Sequence, residues 1–416
     1  MNDLVARRAR LLGPNVATFY NAPLHIVRGE GVWLFDAGGR RYLDCYNNVA
    51  HVGHCHPKVV GAIAQQAGVL NTHTRYLHEG ILDYGERLIT TFGHDLSQII
   101  LTCTGSEAND IALRMAQAVT GKVGIIATDN TYHGNTTAVA HLSTRRPPIG
   151  GWPAHVRRVP APDSLAPGGC DPLAFANHVN AAIAELETSG HGFAGLMLDP
   201  IFANEGLPDV GPGFLDPTVA VVRRAGGLIL CDEVQPGFGR LGSHWWGHDW
   251  LGFAPDVVTL GKPMGNGHPV GGVVARPDVM AAFRNAFGYF NTFGGNPVSC
   301  AAAMAVLDVI AEDGLMDHAA RVSAAFHSML SGLPHPLIAG VRARGQFYAV
   351  ELARDGVPAP EAAASIVEAM KARGILIGRI GRQQHILKLR PPMPFGTDHA
   401  ALATDALTAS LAEVAA

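Results

Sequence analysis

The sequence predicts an α/β protein, with a large domain on a mostly parallel central sheet and a smaller α+β domain after it. Three observations predict this. The chain has 416 residues, more than one hydrophobic core usually serves. From about residue 99 to 276, short apolar runs alternate with helical stretches, the pattern of strands joined by crossover helices. Beyond residue 330, strand-like runs precede a helical end. The expected division is an N-terminal segment, 1–55, joining the small domain; a large domain, 56–296; and the small domain, 297–416.

Residues 31–44 place two apolar-rich runs on either side of Asp36-Ala37-Gly38-Gly39, a hairpin signal. The large domain's strands are expected at 99–103, 122–128, 194–199, 227–232, 256–260 and 271–275. Residues 145–172, rich in Pro and Gly, read as a loop long enough to wall a functional site. Residues 297–330 look helical, and strand-like runs follow at 347–352, 374–378 and 385–390.

The composition, 48% hydrophobic and 16% charged, is that of a compact enzyme and excludes a disordered chain. The net charge of −4 offers no field for nucleic acid or an anionic membrane. An anionic ligand must therefore be met by a few placed cations. Six cysteines without a C-x-x-C pair suit a reducing compartment. Met1-Asn2-Asp3-Leu4 does not begin a signal-peptide layout, and no run approaches the ~18–20 apolar residues that span a bilayer. A cytoplasmic location is expected.

Thr104-Gly105-Ser106-Glu107-Ala108-Asn109 follows an apolar run and opens a helix with apolar positions 108, 111, 112, 115, 116 and 119 on one face. Gly105 and Ser106 fall in the first turn, where unbonded amides and the helix dipole favour phosphate. The run 227–232 ends in Asp232, at the strand end where ligands gather. A buried carboxylate there can pair with a pyridinium nitrogen. The run 255–261 leads into Lys262, which a strand end can desolvate into a nucleophile and proton carrier. Singly, these are a capped helix, an ion pair and a surface charge. Together, a phosphate turn, a strand-end Asp and a Lys 30 residues later fit enzymes of pyridoxal phosphate (PLP) with the aspartate-aminotransferase fold. Tyr132-His133-Gly134 offers an aromatic to stack on the cofactor ring, and Thr292 sits in a Gly-rich turn where a hydroxyl can reach a phosphate.

With Tyr-His-Gly, Asp-Glu-Val-Gln, Gly-Lys-Pro and Asn-Thr-Phe-Gly-Gly-Asn-Pro, the chain from about residue 20 to 410 resembles the class III aminotransferases of PLP fold type I. The resemblance implies that Gly105 and Ser106 hold the cofactor phosphate and that Tyr132 and Val234 cover the ring's two faces, with His133 beside them. It implies that Asp232 pairs with the ring nitrogen, Gln235 contacts the ring hydroxyl and Lys262 forms the Schiff base. It further implies a homodimer, or a tetramer built from it, in which Thr292 reaches the neighbouring subunit's phosphate.

Within that family, Asn47-Asn-Val-Ala-His51-Val-Gly-His54-Cys55-His56-Pro57, Leu70–His78, Gly261–Pro269 and Ile386–Met393 look like the ethanolamine-phosphate and phosphohydroxylysine phospho-lyases. Two departures from ordinary class III aminotransferases agree. Lys388 stands where an Arg precedes the Pro-Pro pair, and Asn204, next to Glu205, stands where a Glu masks that Arg. Arg390 replaces what is often Lys in the lyases, and Pro236 what is often Val. The implied reaction is elimination of phosphate from a phosphorylated amine; the alternative is amine:keto-acid transamination. Arg75, Lys388 and Tyr20, with Arg390 in reserve, are the candidates for the substrate-phosphate pocket. The histidines at 51, 54 and 56, beside Cys55, cannot converge on one tetrahedral ion, so no metal is expected.

Overall fold

A computed structural model describes residues 2–143 and 147–415. Its largest sheet has seven strands: β1 (Gln98–Thr102), β2 (Gly124–Thr128), β3 (Val156–Val159), β4 (Phe193–Leu198), β5 (Leu228–Asp232), β6 (Val257–Leu260) and β7 (Gly271–Ala275). Their order is β1-β7-β6-β5-β4-β2-β3. β3, β2, β4, β5 and β6 run parallel, whereas β7 is antiparallel to both its neighbours. β2, β4, β5 and β7 are buried along their whole length, as strands covered on both faces must be.

The six expected runs all appear as strands within two residues of their predicted bounds. β3 was not expected: it lies inside the Pro- and Gly-rich stretch read as a loop. It is an edge strand of four residues, and its two central positions are two arginines, Arg157 and Arg158, so no apolar run announces it.

The helix Gly105–Thr120 packs one face on this sheet. Ala108, Ile111, Ala112, Met115 and Ala116 are buried there, whereas Val119, expected on the same face, is 39% exposed on the last turn. The helix Pro297–Glu312, expected in the smaller domain, buries its apolar side chains in the core beside the large sheet. Gly314, at φ +59, separates it from Leu315–Ser331.

A second core gathers Leu43 and Cys45 with Phe326, Tyr348, Leu387 and Leu407. The expected hairpin forms here, with Trp33–Asp36 antiparallel to Arg41–Asp44 and Asp36 Oδ1 accepting from the amides of Gly38 and Arg40. Its second strand pairs in parallel with Ile375–Leu376, so the early chain is stitched to the late chain. Phe347–Arg354 and Ile386–Leu389 pair in a neighbouring sheet, which carries Lys388 against the large sheet's carboxyl end. Among the described residues, no helix is long and apolar enough to cross a membrane.

Candidate active site

The carboxyl ends of β1, β2, β5 and β6 meet around a cavity of about 240 Å³ lined by Gly105, Ser106, Tyr132, His133, Gly134, Asp232, Val234, Gln235 and Lys262. Eight of the nine residues assigned to the cofactor by sequence thus lie on one wall. Thr292, the ninth, is exposed and outside it.

The phosphate turn is built by close packing. Thr104 caps the helix by accepting from Glu107 N at 3.1 Å. A Cβ on Gly105 would lie 2.8 Å from Val234, and one on Gly261 would lie 3.2 Å from the Gly105 Cα. Gly134 has φ +142, and a Cβ there would meet Ser106 Oγ at 2.5 Å. That hydroxyl accepts from Asn135 N at 3.1 Å. Gly134→Ala is therefore expected to cost roughly 1–3 kcal/mol through strain and overpacking. Thermal unfolding and cofactor titration check this; a variant matching the parent in both would show that the turn is looser than its packing implies.

Asp232, at the end of β5, is buried and heavily bonded. Its Oδ2 accepts from Asn109 Nδ2 at 2.9 Å and lies 2.7 Å from His133 Nδ1; its Oδ1 accepts from Val234 N at 3.0 Å. Thr259 donates in turn to Asn109 Oδ1. Lys262 follows β6 in a short 3-10 turn. Burial is the main cause that pushes its ammonium below the ordinary lysine range, Arg390 adds to it, and Asp232 opposes. Its neutral, nucleophilic form is correspondingly easier to reach.

Lys388 and Arg390 enter from the smaller domain, both buried, and both donate to Gln235 Oε1; Lys388 also donates to Ala203 O at 2.8 Å. Arg390 lies over the Tyr46 ring, 5.2 Å from its centre. Burial first, then Arg390, pushes Lys388 well below the lysine range, against the pull of Asp199.

The sequence pattern of the class-III aminotransferases matches residues 16–411. The chain belongs to that family. A Drosophila melanogaster relative named alanine–glyoxylate aminotransferase 2-like is 37% identical over 96% of this chain and 84% of its own. A Caenorhabditis elegans relative named ethanolamine-phosphate phospho-lyase homolog 1 is 33% identical over 95% and 90%. A solved phospholyase from Arthrobacter in complex with phosphoethanolamine superposes with a TM-score of 0.95, at 42% identity over 99% of each chain.

The fold is thus the PLP type I fold, and pyridoxal phosphate is the cofactor of this class-III aminotransferase family. The residues present fit it. A capped, glycine-packed helix start suits the phosphate, a buried carboxylate suits a protonated ring nitrogen, and Lys262 suits covalent attachment.

Two substrate candidates lie elsewhere in the chain. Arg75 stacks on Phe290 at 3.9 Å on an exposed surface, outside the cofactor cavity. Tyr20 donates to Ile377 O at 3.3 Å in a separate groove with Phe19 and Tyr46. The histidines near residue 51 are engaged: His51 Nε2 lies 2.7 Å from Phe238 O, and His54 Nε2 lies 2.7 Å from Asp44. Cys231, Glu233 and His248 do gather, but Glu233 there already accepts from Gly247 N, His248 N and the His248 ring.

Sequence reasoning gave no role to three buried polar residues of this class-III site: Asn109, Asp199 and Glu205. Burial, then Glu205 and Asp232, pushes Asp199 well above the usual carboxylate range, so it keeps its proton more readily than an exposed Asp. Asn109 stood within the quoted phosphate motif, one helical turn past Gly105, which was the signal for it. Asp199 had none beyond lying at a strand end, and Glu205 none beyond standing next to Asn204.

Proposed function

We propose that this chain is a PLP-dependent phospho-lyase acting on a phosphorylated amine such as O-phosphoethanolamine. One observation carries the reading. Lys388 and Arg390 are buried side by side at the cofactor cavity's edge, and neither has a carboxylate within 4.0 Å among the described residues. Glu205, next to the Asn204 that stands at the masking position, accepts from Thr128 at 2.6 Å and Asn204 N at 3.1 Å. Two desolvated basic groups with no carboxylate paired directly to either suit a dianion, and phosphate is one. The likeness to a phospholyase complexed with phosphoethanolamine supports the same choice.

In this reading Gly105 and Ser106 bind the cofactor phosphate, and Tyr132 and Val234 hold the ring between them. Asp232 keeps the ring nitrogen protonated, and Gln235 orients the ring hydroxyl. When bound, the cofactor supplies an electron sink for a carbanion. Lys262 would hold it covalently and, once the substrate amine has taken its place, its freed amine would be positioned to take a proton from the carbon beside nitrogen. Lys388 and Arg390 would hold the phosphate leaving from the next carbon; Lys262 would then retake the cofactor, and the freed enamine, on gaining a proton and adding water, gives acetaldehyde and ammonia.

Thr292 and Arg75 are assigned to a site shared with a second copy. Leu77, Tyr76 and Phe293, exposed near them, offer an apolar face for it.

The test is release of inorganic phosphate from O-phosphoethanolamine without any keto acid. Catalytic release matching acetaldehyde supports the lyase; no release, with keto-acid-dependent turnover of a simple amine, makes the chain a transaminase. Lys388→Gln is expected to raise KM for the phosphorylated amine roughly 10- to 100-fold, the loss of one charge-assisted bond. The sign of the pH effect follows from the same lysine. Only the cation binds phosphate, and its depressed titration removes it early, so kcat/KM falls as pH rises, below the range of an ordinary lysine. Lys388→Arg is expected to move that alkaline fall upward.

A further inference from the structure

Arg390 opens the run Arg390-Pro391-Pro392-Met393. Proline has no N–H, so this run carries backbone donors only at its two ends. Arg390 N donates to Cys45 O at 2.7 Å, and Met393 N donates to His51 O at 2.8 Å. Between those ends only carbonyls are left to be held. Arg240 holds one of them, its Nη1 donating to Pro391 O.

Arg240 is 0% exposed, and among the described residues it has no carboxylate within 4.0 Å. A buried guanidinium without an anion is costly, so its bonds to neutral acceptors call for an explanation. Its backbone is fixed by close packing. Gln346 N donates to Arg240 O at 3.0 Å, and a Cβ on Gly345, which has φ +52, would lie 2.3 Å from that oxygen. The second arm of the guanidinium meets His51: Nη2 lies 3.1 Å from His51 Nδ1, and His51 Nε2 lies 2.7 Å from Phe238 O. A guanidinium only donates and a carbonyl only accepts. His51 is therefore neutral, with its proton on Nε2 and its lone pair facing Arg240. Burial, then the charge of Arg240, pushes this imidazole well below its ordinary range, in agreement.

The segment after β5 thus reaches Arg390 twice. Gln235 accepts from its guanidinium, and Arg240 grips the carbonyl of the residue that follows it. Tyr46 lies under the same guanidinium. We propose that Arg240 is a positioning residue, which seats Arg390 for the substrate's anion by holding Pro391 O, with His51 aligning its guanidinium. Arginine suits the task because its planar fork spans two acceptors at fixed geometry, which lysine cannot do. The inference rests on the reading of Arg390 as a residue for the substrate's phosphate. It carries over to a keto acid's carboxylate if the chain transaminates.

The test compares two ligands in the holoenzyme. O-Phosphoethanolamine carries the amine and the anion; ethanolamine carries the amine alone, and its binding is read from the cofactor's visible band. Arg240→Met is expected to lower kcat/KM for O-phosphoethanolamine about tenfold or more, the scale of a displaced charge-assisted contact. Ethanolamine affinity is expected to stay within about twofold. Arg240→Lys, which recovers one of the two bonds, is expected to fall between parent and Arg240→Met, and it answers the question if Arg240→Met fails to fold. In an Arg390→Gln background, either change at Arg240 is expected to cost less than about twofold more. If the chain proves a transaminase, kcat/KM for its keto acid takes the place of the phosphorylated amine. Equal losses for both ligands would give Arg240 a structural role only and overturn the proposal. A loss that persists in the Arg390→Gln background overturns it too, while leaving Arg390's own assignment intact. Parental kcat/KM in Arg390→Gln alone removes Arg390 from the substrate site, and this proposal with it.

Discussion

Lys262→Ala is expected to lower turnover by about 10⁴-fold or more, the largest single effect in the molecule. The estimate takes the upper end of the ~10²–10⁴ range for a placed acid–base group and adds the loss of a covalent nucleophile. Lys262 is the basic side chain at the carboxyl end of β6, and its depressed ammonium is ready to give up a proton. Lys388 and Arg390 cannot replace it, because both are tied to Gln235. The assay pairs kcat with borohydride treatment. The parent's visible band should bleach with the cofactor retained on the protein, whereas the variant should release it on unfolding. Small primary amines should restore part of the rate. A variant with more than a tenth of parental turnover would remove Lys262 from the chemistry.

Asp232→Asn is expected to cost about 10²–10³-fold in kcat, the scale of one lost preorganised electrostatic partner. The substitution keeps the shape but reverses the pattern. Asp232 accepts from Asn109, His133 and Val234 N, and an amide nitrogen in place of Oδ2 would face the Asn109 donor. The ring nitrogen would lose its anion at the same time. Cofactor affinity and kcat should both be measured, since a loss confined to affinity would make Asp232 a binding residue only. Asp232→Glu tests length against charge, because it keeps the anion and displaces it.

The parallel sheet was legible because its strands are buried on both faces and read as unbroken apolar runs. β3 was not, because Arg157 and Arg158 interrupt a short edge strand inside Pro-rich sequence. The cofactor wall was legible because Gly105, Asp232 and Lys262 each sit at a strand end, where sequence order maps onto space. The proposed substrate pocket was only half legible. Lys388, on the strand Ile386–Leu389, and Arg390, just past its end, converge on Gln235. Arg75, Tyr20 and Thr292 lie outside the cavity, and no spacing within one chain shows what a second copy would bring together. Glu205 was unreadable for another reason. Its side-chain partner is the hydroxyl of Thr128, at the end of β2 and 77 residues away in sequence.

The antiparallel β7 also bears on how the enzyme is made. It lies between β6 and β1, and β1 touches the sheet only through it. The segment that launches the Gly105–Thr120 helix is therefore anchored by chain that emerges much later from the ribosome. A nascent chain ending before Gly271 would carry Asp232 and Lys262 with the helix start still unfastened. Closure of the sheet by distant residues is slow for entropic reasons. The ligand-binding surface is thus a late product of folding, and a ligand that spans it would fasten β1 and β6 together across the strand between them.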